Sequence, residues 1–495
     1  MPTDALDREM AISIPTLLDN LIDGGVIVAA AVTAGPAPNS SADFAVAGAA
    51  ARSAFGVTGA GVTVGIISDS FNAKGQANAN LAAGYLPAVT VLADRSGTDE
   101  GQAIAELIHE TAPGATIVFN TFGTTLASFT SAVTALQNAG ARIIIDDVGV
   151  ANEPFFQLGD VLENAIESFI AAGGNYFTSA GNNGGTYYQA AFDGISALLP
   201  GTTTSVTAEN FGGDNVLESF THTSTFNLAI DLQWETPFRS VGSGGPNSMG
   251  AQDSLALYLY NSSNTLIASR TANVVGSDPL QYLTINNLAA GTYKVAVVLN
   301  GGAPPGVFRY EFVENNVDDL INDPNANTGG GNLFGHSELA DVNTIGAVAA
   351  SNTPSQGVST PVVEPFSSTG PGQFLLDGNG NVLAIPVTTG KVDFTAPDGS
   401  STSVTGFAPF YGTSAAAPVA AATAALLLQQ NTALKPAQVS ALLAASAIGQ
   451  GGGPNVGAGL IQATAALAIA DGATGIGLVI NVSEDAYLGD AQFTV

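Results

Sequence analysis

Cysteine does not occur in the 495-residue chain, which excludes thiol catalysis, a disulfide framework and cysteine-ligated zinc or iron–sulfur centres. Basic residues are nearly as scarce. Only 11 Lys and Arg face 41 Asp and Glu, a formal net charge of −30, although charged residues make up only 11% of the chain. The imbalance therefore comes from missing cations, and a patch able to neutralise phosphates cannot be assembled, which argues against nucleic acid as a partner. Long apolar runs are missing too. The longest, around residues 415–428, is interrupted by Pro418 and Thr423 and falls short of the roughly 20 residues that span a bilayer. No Walker sequence with its Gly-Lys pair occurs, and Gly59, Gly61 and Gly65 lack dinucleotide-binding spacing. The first residues, MPTDALDREM, are acidic, and the apolar run at 26–34 has no basic flank, so no secretory signal is read there. Yet the 59 glycines and 24 prolines, with many Thr, Ser and Asn, suit a loop-rich and β-rich exported protein. The expected location is extracellular, reached without a recognisable N-terminal signal peptide.

What is present is apolar: 46% hydrophobic residues suffice for a large core, and at about 150 residues per domain the length suggests roughly three. Residues 1–50 read as an N-terminal extension and linker, expected to pack loosely, with an amphipathic piece at 14–22 before AVTAGPAPNSSAD. Over 51–200, β-branched runs (VTVGIIS, ATIVFN, RIIID, NYFTSA) alternate with helix-length segments (GQAIAELIHETAP, TSAVTALQNAG, VLENAIESFIAAGG). This alternation predicts βαβ units and a mainly parallel sheet flanked by helices, with functional residues at the carboxyl ends of the strands. Between 201 and 325 a period of two takes over, clearest in Phe226, Leu228, Ile230, Leu232 and Trp234, and predicts an inserted antiparallel β-sandwich. The α/β pattern returns over 326–475 with VNTIGAVAA, KVDFTAP, the apolar helix from Ser414, and LKPAQVSALLAASA, whose Pro436 fits a first helical turn. Residues 476–495 stand apart as the opening of another β module.

Ser414, in YGTSAAAPVAAATAALLLQQ, begins a predicted helix after Gly412 and before small residues that let a substrate backbone approach. Taken alone it reads first as the cap of a buried helix. In company it is more specific. Ser414 with Pro418 resembles the GTSxAxP nucleophile motif of subtilisin-like serine peptidases, and three further segments follow that family's chain order. Asp69 ends the strand of VTVGIISDSFN, Asn182 follows Ala-Gly in TSAGNNG where the family's oxyanion asparagine sits, and KVDFTAPDG resembles the KPDxxAP segment. The likeness covers roughly 55–200 and 330–470, and it implies a subtilisin-like α/β fold split by the inserted sandwich, a polypeptide substrate and a hydrolytic serine.

One element of that pattern is absent. Where the family shows histidine in HGTHVAG, this chain reads DEGQAIAEL, placing Glu100 at the position of the base, followed by the expected Gly101. His109 lies nine residues further along, about 14 Å away on a helix; His222 falls in the inserted segment and His336 in a Gly-rich loop. Two alternatives follow. Glu100 is the general base, as in the sedolisin branch, with Asp69 sharing charge and Asp146 and Asp147 close enough to tune it upward, giving acid-shifted activity. Otherwise the site is degenerate, and the protein is a subtilisin-fold surface protein binding peptide or glycan. The sedolisin match is partial, since that branch carries aspartate where this chain has Asn182. Asp147 reads either as a catalytic neighbour or as a turn residue. Gly149, with Glu153, lies where the family's substrate-binding strand and loop would be, suited to backbone pairing with an extended peptide.

Calcium enters only as the structural cofactor the resemblance implies; its ligands are unknown, and no catalytic cofactor is expected. DGNGN at 377–381 lacks the terminal acid of a calcium loop and reads as a hairpin turn. LAAGTYKVAVV resembles the pre-peptidase C-terminal type of sandwich, with a docking or purely structural role. LVINVSEDAYLGDAQFTV resembles the first strands of a calcium-dependent carbohydrate-binding module, which suggests a truncated piece of a larger secreted protein and carbohydrate as a further partner.

Overall fold

The computed structural model describes residues 41–184, 186–241, 250–313, 320–321, 331–450 and 453–472. The alternating runs fold as their periodicity requires. Seven parallel strands form one sheet, in the order Val89–Ala93, Thr116–Thr121, Thr63–Ser68, Ile143–Asp146, Asn175–Ser179, Asn343–Ala349, Phe394–Asp398. Successive side chains of one strand point to opposite faces, so each interior strand feeds two cores. Ile66, Phe119, Ile145 and Phe177 join a core with the helices Glu100–Thr111 and Thr413–Gln430. Ile67, Val118, Ile144 and Tyr176 join another with Leu126–Asn138 and Val161–Ala171. The expected α/β architecture, a parallel sheet with helices on both faces, is thus present.

The helix that begins beside Ser414 is buried along nearly its whole length. Its sequence explains why: Ala and Leu occupy every side, so there is no polar face to turn towards water. It lies under the strands Ile143–Asp146, Asn175–Ser179, Asn343–Ala349 and Phe394–Asp398, which fixes the height of its first turn at their carboxyl ends.

The antiparallel part consists of two sheets sharing one core, in which Leu228, Ile230, Leu232 and Trp234 meet Leu255, Leu257, Val295 and Val297. Its pairing begins earlier than residue 201, the boundary read from the sequence: Tyr187–Ala191 already lies antiparallel to Val307–Phe312. YYQAA is too short to show a period of two, so this strand is set by its partner.

Residues 41–50 correct the expectation of a loosely packed extension. Ala42, Ala45 and Val46 are buried, Gln462 Nε2 donates to the Ala45 carbonyl at 3.1 Å, and Arg52 pairs with Asp43 at 2.6 Å. Small side chains let the segment nest against the end of the fold, an effect that composition hides. Residues 1–40 and 476–495 lie outside the described residues. The 377–381 segment forms the turn joining the strands Gly372–Leu376 and Val382–Thr389, with the Asp377 carboxylate accepting from the backbone of Asn379 and Asn381. Among the described residues no helix is long and apolar enough to cross a membrane, and no group of three or more His, Asp or Glu side chains is arranged to hold a metal ion.

Candidate active site

Parallel strands end together, and the residues that follow them gather at one rim. Asp69 follows Thr63–Ser68, Asp147 follows Ile143–Asp146, Asn182 lies three residues beyond Asn175–Ser179, and Ser414 stands in the first turn of Thr413–Gln430. A cleft of about 310 Å³ at this rim is lined by Glu100, Asp147, Gly149, Asn182 and Ser414, among others.

Glu100 opens the helix Glu100–Thr111. Gly101 must be glycine here, because a Cβ would lie 2.3 Å from the Phe119 ring and 2.8 Å from the Ser70 carbonyl; that close approach seats the helix start against the sheet. Asp69 anchors the same start. Its carboxylate accepts from the Glu100 backbone N–H at 3.2 Å, from Ser70 Oγ at 3.1 Å and from Thr98 Oγ1 at 2.7 Å, as well as from the N–H groups of Ser70 and Thr98. Asp69 therefore meets Glu100 through backbone and charge.

The Glu100 carboxyl shares the cleft wall with the side chains of Asp147 and Ser414. Burial raises its pKa, the Asp69 charge raises it further, and the hydrogen bonds to Asp147 and Ser414 pull it back, leaving it pushed up to about 7. Asp147 is driven up as well, by burial first and then by the charge of Glu100, against a hydrogen bond from Ser68 Oγ at 3.2 Å. Two neighbouring buried carboxyls whose pKa values are both raised cannot both ionise freely, so the pair retains a proton.

Asn182 is fixed in one orientation. Its Oδ1 accepts from the Thr413 backbone N–H at 2.9 Å and from Thr413 Oγ1 at 3.0 Å, which leaves the Nδ2 hydrogens for the cleft. The Ser414 N–H lies in the first helical turn, where no intrahelical carbonyl is available to it. Gly412 precedes the turn at φ 108°, ψ 165°, and a Cβ there would sit 3.0 Å from Asn182 Nδ2. Its N–H is held by Asp398 Oδ2 at 2.8 Å. The arrangement presents a hydroxyl, a carboxylate able to take its proton, and two N–H donors where negative charge would develop on a carbonyl oxygen.

The histidines stay out of this constellation. His336 does line the cleft, but its Nδ1 is bound to Glu153 at 2.6 Å and its Nε2 lies 3.2 Å from Thr178 Oγ1 and 3.3 Å from Asp146. Burial lowers its pKa, and Glu153 and Asp146 more than reverse that, so the ring is held well above its ordinary range. Glu153, read as part of a substrate loop, is in fact buried and spent on His336 and on the Val150 N–H. Gly149 is exposed on the cleft wall.

Several residues of the site escaped sequence reasoning. Asp398 directly follows the TAP of KVDFTAPDG, and that adjacency is the signal that could have marked it. Asp99 takes φ 66° before Glu100 and accepts from the N–H groups of Ala73 and Lys74 at 2.6 and 2.7 Å. Asp231 and Tyr282 reach the cleft from the antiparallel part, with no local signal at all.

Solved structures with similar folds include the Clostridium perfringens CspB protease, 12% identical with a TM-score of 0.51, the match covering 88% of this chain and 98% of that one. MycP1 from Mycobacterium smegmatis is 16% identical with a TM-score of 0.36, covering 89% and 86%. Fervidolysin from Fervidobacterium pennivorans, a keratinolytic enzyme related to subtilisin, is 13% identical with a TM-score of 0.38, covering 88% and 48%. No curated protein matches the chain. The family model described as Subtilase family matches residues 73–477, and with most of its length so matched the chain belongs to that family of serine peptidases.

Proposed function

We propose that the protein is a secreted serine endopeptidase working through a Ser-Glu-Asp site. The observation that carries this reading is that Glu100 and Ser414 line one cleft, with the serine side chain near enough to the carboxyl to lower its pKa. Ser414 Oγ attacks the peptide carbonyl carbon while its proton passes to Glu100. The resulting oxyanion is received by Asn182 Nδ2 and the Ser414 N–H. As the C–N bond breaks, Glu100 returns the proton to the leaving amine; water then attacks the acyl-serine with Glu100 again as base, and the acid product leaves Ser414 restored. Asp69 holds the Glu100 helix start and keeps a negative charge near the proton acceptor. Asp147 retains the shared proton, so that Glu100 rather than both carboxyls ionises near neutrality.

This assignment revises the expectation of acid-shifted activity. A base pushed up to about 7 must lose its proton to work, so kcat/KM should rise with an apparent pKa near 7 as the Glu100–Asp147 pair first ionises. Support for export is compositional: scarce Lys and Arg and abundant Gly, Ser, Thr and Asn. Structural calcium, which the family likeness implied, is assigned to no residues.

The test uses an active-site fluorophosphonate. Labelling of the unaltered protein that vanishes in Ser414→Ala, together with loss of peptide hydrolysis in a folded Glu100→Gln, is the expected result. Absence of labelling between pH 4 and 9 would overturn the hydrolytic reading, and full activity in Glu100→Gln would overturn the choice of base.

A further inference from the structure

The cleft that holds Ser414 is partly walled by the antiparallel part, which contributes Asp231 and Tyr282. Asp231 lies on the strand Phe226–Trp234, whose Ile230, Leu232 and Trp234 fill the core between the two antiparallel sheets. Alternation therefore turns Asp231 to the opposite face, against the α/β part. It is 1% exposed. Its Oδ2 receives one long hydrogen bond, from Gln233 Nε2 at 3.4 Å, and its Oδ1 has no hydrogen-bond partner.

The cations within reach are already engaged. Arg309 places Nε 3.0 Å from Glu311, donates Nη1 and Nη2 to the carbonyls of Gly331 and Leu333, and lies over the Phe155 ring. His336 sits between Glu153 and Asp146. Tyr282 and Glu311, the strand neighbours of Asp231 in register, bring no positive charge. The ionisable side chains of the cleft are thus four carboxyls, Glu100, Asp147, Glu153 and Asp231, with one committed imidazole and one phenol. A buried carboxyl without a free cation beside it is costly to ionise, and burial raises its pKa well above the ordinary value; a cation supplied by a ligand would offset that cost.

We infer that Asp231 is the specificity determinant of the cleft: it receives the ammonium or guanidinium of a lysine or arginine on the carbonyl side of the cleaved bond. Asn182, the oxyanion donor, shares the wall of this cleft, so the side chain attached to the attacked carbonyl is the one that enters it. Leu333 and Phe334 line the same space and suit the methylene stem of such a residue. The inference rests on the hydrolytic reading for its register, and it gives the antiparallel part a role in substrate selection.

Calorimetry with acetyl-Ala-Ala-Xaa amides on Ser414→Ala tests it without needing turnover. Lysine as Xaa should bind on the order of 10²-fold tighter than norleucine, with glutamate weakest, and the lysine advantage should collapse when Asp231→Asn is added. The comparison of lysine with norleucine needs no change at Asp231, so it decides even where the second variant does not fold. Equal or tighter binding of norleucine, or a lysine advantage that survives Asp231→Asn, would overturn the inference. A lysine preference in a protein that never reacts with the fluorophosphonate would leave this binding site standing while the hydrolytic reading fell.

Discussion

Asn182 has no freedom to rotate its amide, because Thr413 uses both its N–H and its hydroxyl on the same oxygen. A donor fixed in advance needs no reorganisation when charge develops, which is why such groups weigh heavily in acyl transfer. Asn182→Ala should lower kcat about 10²-fold to 10³-fold with little effect on KM, read from steady-state kinetics on any cleaved peptide. At this scale the sequence is legible wherever chemistry is written into contiguous residues. Ser414, Asn182 and Asp69 each carry their neighbours with them, and Glu100 announces itself by standing before Gly101. Asp231 could not be read in this way, since only the pairing of distant strands brings it to the cleft. His336 was equally opaque: a Gly-rich context says nothing of Glu153 and Asp146 closing on its two nitrogens.

The serine helix illustrates how an element is positioned by its ends. Gly412 has a backbone conformation available almost only to glycine, and a side chain there would press on Asn182. Gly412→Ala should therefore destabilise the fold by about 1–3 kcal/mol and reduce kcat through displacement of Asn182; thermal denaturation and kinetics on the same preparation separate the two effects. Interior strands such as Thr63–Ser68 and Ile143–Asp146 were readable because burial on both faces demands continuous apolar runs. The edge strand Val89–Ala93 was not, for four of its five residues are exposed and its conformation follows from pairing with Thr116–Thr121. Similar reasoning covers Tyr187–Ala191, which becomes a strand only because Val307–Phe312 lies beside it.

Across the whole molecule, acids are buried with few cations to meet them. Burial, with the charges of Asp43 and Glu106, pushes Glu110 up to about 9. Burial likewise raises Glu338 to about 8, with Arg309 opposing and Glu311 assisting, and Glu311 to about 7, opposed by Arg309. Each such group binds its proton more tightly folded than unfolded, so its contribution is complete below the unfolded pKa near 4.5 and is lost as pH rises through 7 to 9. His336 acts in the same direction, while His109, whose pKa burial lowers, acts against it. The melting temperature should accordingly fall on the order of 10 °C between pH 5 and pH 9, measured by calorimetry at constant ionic strength; a rising or flat profile would contradict the burial of these carboxyls.

The order of strands in the parallel sheet also governs when the molecule can act. Ser414 and the base proposed for it, Glu100, stand more than three hundred residues apart in the chain, and the helix bearing Ser414 packs against strands drawn from both halves. During synthesis Glu100, Asp147 and Asn182 all leave the ribosome long before that helix. On the proposed chemistry, a nascent chain therefore holds a proton acceptor with nothing to deprotonate, and hydrolysis begins only once the helix bearing Ser414 has joined the sheet.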